Sequence, residues 1–343
     1  MERTDQQHDI LLLFCPPGSG KSEVRARMTK MSVKQCHRRF HMGLPTIQMD
    51  DYVYVRVMLR LDELAVNVLG MDTVFFSSIG HPFRDARDWL MLIELLNEDY
   101  RDMMAGRKRI EPCAGLALFR RMDAAARRAG ATVKLGKLPL DIQKMFLDHM
   151  FEGRIGDKNV ETLAREINDH KNELTETDLT GKTVVMECAR GGPHGASLPL
   201  DPPQGFEYSL KQLDPQILQK SRILYIDVSP AQSRASNMKR KPTTAGHAND
   251  TTTFHTVPLS NMQAEYGIYD MLFLREESDR PNTVRVEAHG DVFYLPIAVF
   301  NNRDSDLITF IRECKNRPLA EWDQVRLGAL DQELERAMGV FTE

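Results

Sequence analysis

Hydrophobic positions in this chain fall into short unbroken runs separated by long stretches of helical spacing. Residues 10–15 read Ile-Leu-Leu-Leu-Phe-Cys, the mark of a central strand buried on both faces. Residues 45–49 predict a second strand about 25 residues after Lys21, room for one helix and the return connection of a βαβ unit. From residue 52 to 69, Val55, Met58, Leu59, Leu61 and Leu64 supply one apolar helical face. Residues 75–82 read as a strand end or a loop. Residues 84–177 then look almost wholly helical, with helices expected over 84–104, 113–129, 139–151 and 158–177 and Gly or Pro punctuation between them. Apolar β-rich runs return at 183–188 and 223–228. The polar stretch 243–256 predicts a loop, 283–288 and 292–295 predict a hairpin around His289-Gly290, and 296–300 predicts one more strand. Helices over 304–314 and 321–338 close the chain. Trp89 and the Met-rich helices are expected in the core.

This pattern is an α/β core formed by residues 1–80 and 180–343, interrupted by a helical insertion at 81–179. So much helix between two α/β stretches suggests a cap or substrate-side module over the sheet edge.

Composition narrows the class. A chain of 343 residues with 42% hydrophobic and 27% charged residues can bury a core and is no disordered tail. Its longest apolar stretches fall well short of the roughly 18 residues needed to span a bilayer, and the N-terminal run is too short for a secretory signal. No membrane association is expected. The formal charge of −4 argues against nucleic acid as the partner. Cys15, Cys36, Cys113, Cys188 and Cys314 are far apart with no C-x-x-C pair, which favours reduced thiols and a cytoplasmic location. The histidines show no metal-ligand spacing.

The segment between the first run and the first helix carries the chemistry. Pro17-Gly18-Ser19-Gly20-Lys21-Ser22-Glu23 follows a buried strand and opens a helix. Glycines there let backbone N–H groups turn inward around phosphates, the lysine reaches the β/γ oxygens, and the serine hydroxyl ligates Mg²⁺. Cys15 stands where the pattern G-x-x-x-x-G-K-[ST] has its first glycine. Asp50-Asp51 falls at the C-terminal end of the second strand, the edge where ligands of open α/β sheets bind. A carboxylate there can deprotonate an attacking hydroxyl. Asp51 could equally cap the following helix. Glu187 ends another apolar strand, a usual source of the carboxylate that holds Mg²⁺, and Arg190 after it could meet a phosphate bidentately.

These motifs resemble the P-loop kinases, in particular adenylate-kinase-like and uridine-kinase-like enzymes, whose loops often read Pro-x-Gly-Ser-Gly-Lys-Ser. The resemblance implies a three-layer α/β/α fold with a mostly parallel sheet, and ATP and Mg²⁺ as cofactors. In uridine-kinase-like and phosphoribulokinase-like enzymes a similar Asp-Asp-Phe/Tyr follows the second strand, which places the base at Asp50 in preference to Asp51. Arg234 and Arg240 resemble lid arginines that close over the phosphates. Asn302 and Arg303, at the end of the last strand, resemble residues that contact the nucleobase.

The leading expectation is therefore an ATP-dependent kinase acting on a hydroxyl of a small metabolite: a nucleoside, nucleotide or sugar derivative. Lys21, Asp50 or Asp51, Arg190, Arg234 and Arg240 would serve catalysis, and Ser22 and Glu187 would organise the metal. Two alternatives stand beside it. One is a kinase for a polynucleotide hydroxyl, using the basic pairs at Arg107-Lys108-Arg109, Arg120-Arg121, Arg127-Arg128 and Lys239-Arg240-Lys241. The other is a nucleotide-dependent switch or assembly protein without phosphotransfer.

Overall fold

All five side chains of β1 (Ile10–Phe14) are buried, although successive residues of a strand point to opposite faces. Both faces of the sheet are therefore covered at its centre, which explains why the run has no polar alternation. The computed structural model of the chain describes residues 9–152, 159–175, 177–239, 257–303 and 307–341. It shows a mixed α/β protein with a six-stranded, mostly parallel sheet.

The helices α1 (Lys21–Thr29) and α2 (Val33–Phe40) connect β1 to β2 (Ile47–Asp50), and α3 (Tyr52–Asn67) follows. The helical region then comprises α4 (Asp88–Met104), α5 (Ala114–Arg128), α6 (Leu140–Glu152) and α7 (Val160–Thr175). The chain returns through β3 (Val184–Cys188), α8 (Gly205–Gln212), α9 (Pro215–Leu218), β4 (Ser221–Asp227) and α10 (Pro230–Met238). After α11 (Leu259–Ala264) and α12 (Met271–Glu276) come the hairpin strands β5 (Thr283–Ala288) and β6 (Asp291–Asn301), then α13 (Leu307–Cys314) and α14 (Gln324–Met338). The sheet order is β2-β3-β1-β4-β6-β5, parallel throughout except for β5, which pairs antiparallel at the edge.

Two apolar clusters divide the interior. One surrounds the sheet and takes Val24 and Met28 from α1, Phe206 and Leu210 from α8 and Ile311 from α13. The other lies among the helices and joins Tyr54, Met58 and Leu61 of α3 to Leu92, Leu118, Phe146 and Leu163. The helical module thus shares α3 with the stretch ahead of residue 81. Helix α4 serves both clusters, with Ile93 and Leu96 toward the sheet and Met91, Leu92 and Leu95 toward the helices. It ties the two parts together.

Two local expectations are corrected. Two helices, not one, precede β2. Helix α2 has only Cys36 and Phe40 buried among charged neighbours, so it lacks a clear apolar stripe, and a Ser32–Gln35 capping box starts it. The segments 292–295 and 296–300 form one strand, β6, in spite of Pro296. The strand changes partner there: Pro296 is the last residue paired with β5, and pairing with β4 begins at Ile297. No helix among the described residues is long and apolar enough to cross a membrane.

Candidate active site

The turn from β1 into α1 adopts a conformation only glycine suits at two points. Gly18 has φ +69° and Gly20 has φ +108°. A Cβ on Gly18 would lie 2.9 Å from the Ser233 carbonyl oxygen, and one on Gly20 would lie 2.5 Å from Ile308 Cγ2. Helices α10 and α13 thus clamp the loop. Ser233 donates to the Pro17 carbonyl (2.6 Å) and Asn302 Nδ2 donates to the Ser19 carbonyl (3.1 Å). Lys21 folds back over the turn, donating from Nζ to the carbonyls of Cys15 (3.1 Å) and Pro16 (3.2 Å). Ser19 Oγ is buried and has no hydrogen-bond partner among the described residues. The first N–H groups of α1 lack intrahelical acceptors by construction.

Cys15 needs no glycine-like backbone, since it is not among the residues with positive φ. Its thiol donates to the Leu224 carbonyl (3.2 Å) and accepts from the Ile226 N–H (3.3 Å). Burial pushes this thiol up to about 12, so it is inert packing beneath the loop.

Three carboxylates gather at the C-terminal ends of β2 and β3. Asp50 and Glu187 are register partners on these neighbouring strands. Glu187 is ion-paired with Arg25, which also donates to Gln48 (2.9 Å). Asp51 is ion-paired with Arg190 at 2.7 Å. Asp50 accepts the Tyr52 N–H at 2.9 Å and forms no ion pair among the described residues. Capping of α3 thus falls to Asp50, while Asp51, at the N-cap position, makes no side-chain cap bond. Burial first, then the charges of Glu187 and Asp51, push the Asp50 carboxyl up to about 7.

Glycine loop and carboxylates line one cavity of about 400 Å³. Pro17, Gly18, Ser19, Lys21, Ser22 and Arg25 form one end, and Asp50, Asp51 and Glu187 its floor. Val55, Leu59, Phe76, Phe83, Trp89 and Tyr266 form an apolar wall, interrupted by Asn261 and Glu265. These wall residues come from α3, the connection to α4, the first turn of α4, α11 and the segment after it. Trp89, expected in the core, faces this cavity instead.

Several expected site residues lie elsewhere. Gly20 is packed against Ile308 and Glu23 faces Arg312 (3.3 Å) and Lys315 (3.7 Å). Arg190 is buried, donating to Ser209 Oγ (2.9 Å), the Ala189 carbonyl (2.8 Å) and the Trp89 carbonyl (3.2 Å). Asn302 braces the loop, as above, and Arg303 pairs with Asp227 at 2.7 Å. Arg234 sits on α10 outside the cavity lining, with Nη1 buried and unbonded among the described residues. Arg240 and the loop 243–256 lie outside the described residues.

No protein-family model matches this chain, and neither a curated protein nor a solved structure matches it.

Proposed function

We propose that the protein is an ATP-dependent kinase with a P-loop three-layer fold that phosphorylates a hydroxyl of a small acceptor. The observation that supports this most is the shared cavity. A glycine loop with Lys21 and Ser22 at a helix N-terminus opens on the same space as Asp50, a half-buried carboxyl that forms no ion pair among the described residues. The loop amides and Lys21 would hold the β- and γ-phosphates, where the helix dipole favours anions. The unbonded Ser19 hydroxyl is available to the same ligand.

Among the described residues no three His, Cys, Asp or Glu side chains form a ready metal cage. Mg²⁺ bound with a nucleotide needs only one or two protein ligands beside phosphate and water. Ser22 and Glu187 fit that smaller demand, and the ion would neutralise phosphate charge there. Arg25 holds Glu187 in place.

In the transfer step the acceptor oxygen bonds to the γ-phosphorus as the bond to the ADP oxygen breaks. Asp50 takes the hydroxyl proton. Asp51 is neutralised by Arg190, which leaves Asp50 as the base of the pair. A small acceptor is favoured over a polynucleotide because one arginine in each basic run of the insertion is held by a carboxylate of its own module. Arg109 pairs with Asp102, Arg121 with Asp99 at 3.0 Å and Arg128 with Glu94 at 2.7 Å.

Incubation with γ-labelled ATP, Mg²⁺ and pooled hydroxyl acceptors tests the reading. Labelled product lost in Lys21→Ala supports it. ATP binding without transfer to any pool would move the protein to the switch class.

A further inference from the structure

Glu265 sits in the apolar wall and forms no ion pair among the described residues, although the Arg190 charge acts on it from behind Trp89. One oxygen accepts from the Trp89 indole N–H (3.2 Å) and from the Phe83 backbone N–H (3.3 Å), both neutral donors. Its other oxygen accepts no hydrogen bond among the described residues. Glu265 is half-buried, and this second oxygen is free to accept from a ligand donor in the cavity. Burial pushes this group up to about 7.

The rings around it form one continuous surface. Phe76 and Phe83 stack with centroids 4.6 Å apart, Phe83 meets Trp89 edge-on at 4.8 Å, and Trp89 meets Tyr266 edge-on at 6.1 Å. The Arg190 guanidinium lies 4.5 Å over the indole of Trp89 and fixes its outer face. This wall is held before any ligand arrives. Asp62 accepts the N–H groups of Val74 (2.7 Å), Phe75 (3.0 Å) and Phe76 (2.9 Å), and Arg84 Nε donates to the Phe76 carbonyl (2.8 Å).

Charge is distributed unevenly over the cavity. Among its described lining residues the cations are Lys21 and Arg25, both at the loop end. An acceptor carrying its own phosphate or carboxylate would meet Asp50 and Glu265, neither of which forms an ion pair among the described residues.

Resting on the kinase reading, we infer that Glu265 is the residue that selects the acceptor, and that the acceptor is an uncharged heteroaromatic alcohol. Its ring stacks on the Phe83–Trp89 wall, a ring N–H or amino group donates to Glu265, and its hydroxyl arm points toward Asp50. Sugars, which lack the flat ring, and phosphorylated acceptors, which need another cation, are excluded by the same features.

Binding is measurable without ATP, which separates this inference from the kinase reading. Trp89 and Trp322 are the two tryptophans. Trp322 is buried against Phe310, so a Trp322→Phe background leaves Trp89 as the sole tryptophan, excited selectively on the red edge where tyrosine does not absorb. Adenosine, guanosine, cytidine and uridine serve as uncharged heteroaromatic alcohols, with ribose and ribose 5-phosphate as comparisons. At least one nucleoside should give a saturable change in Trp89 emission, with neither ribose compound binding as tightly. Glu265→Gln keeps the size but turns an amide donor toward the ligand, and should weaken that binding about tenfold, with the thermal midpoint confirming the fold. Ribose 5-phosphate binding more tightly than every nucleoside, no nucleoside binding at all, or unchanged affinity in Glu265→Gln would each overturn the inference. Nucleoside binding without phosphoryl transfer would remove the kinase reading and leave this one standing. Transfer to ribose 5-phosphate would do the reverse.

Discussion

The Arg190 guanidinium lies 2.7 Å from the Asp51 carboxylate, and both side chains are almost fully buried. The pair links the end of β2 to the segment after β3 and fixes the indole of Trp89 on the way. Removing one partner leaves the other charge in a low-dielectric interior. Breaking such a pair costs about 3–5 kcal/mol, far more than an exposed bridge.

Arg190→Met should therefore lower the denaturation midpoint strongly, and Asp51→Asn in the same chain should restore part of the loss. A double-mutant cycle in urea measures this coupling. Additive effects would mean that the two groups do not depend on each other.

Gly20→Ala tests the clamp on the loop. The backbone alone disfavours a side chain at φ +108°, by about 1–3 kcal/mol for strained positions of this kind. The new Cβ also meets Ile308 Cγ2 at 2.5 Å. Ile308→Ala should relieve the steric part and leave the backbone part, so the double variant should melt above Gly20→Ala and below Ile308→Ala.

Stability should fall as pH rises through the weakly acidic range. Asp50, Asp88 and Glu265 are pushed up to about 7 and Asp270 to about 6, with burial the largest cause in each. Between their ordinary values near 4 and these raised ones, the native state holds protons that the unfolded chain has released. Stability from these groups is full below about pH 4 and declines as pH climbs to about 7. Asp85 and Asp99, held low, act only below that window, and His170, also held low, opposes the trend as a single group. The melting temperature should be higher near pH 5.5 than near pH 8. Asp88→Asn should flatten the slope, and a melting temperature that rises over this interval would contradict the assignment.

The sheet could be read from the sequence because buried parallel strands are written as unbroken apolar runs, as in β1, β3 and β4. Helix α3 was equally plain from its stripe. Helix α2, with two buried side chains, and the undivided β6, with its internal proline, were not, because neighbours rather than local pattern decide them. The loop 17–22 and the three carboxylates were named by their positions at strand ends. The cavity wall was not. Phe76 and Phe83 come from a connection with no periodicity, and Glu265 reaches Trp89 from a distant part of the chain. Arg190 reads from the sequence as a phosphate contact because sequence shows charge but not the partner, Asp51, that neutralises it.

The central claim is that Asp50 deprotonates an acceptor while the glycine loop presents the γ-phosphate. Transfer of labelled γ-phosphate from ATP with Mg²⁺, compared between wild type and Asp50→Asn with ATP affinity measured in parallel, tests it most directly. The expected result is a loss of turnover of about 10²- to 10⁴-fold with ATP affinity retained. Turnover that survives Asp50→Asn unchanged would contradict it.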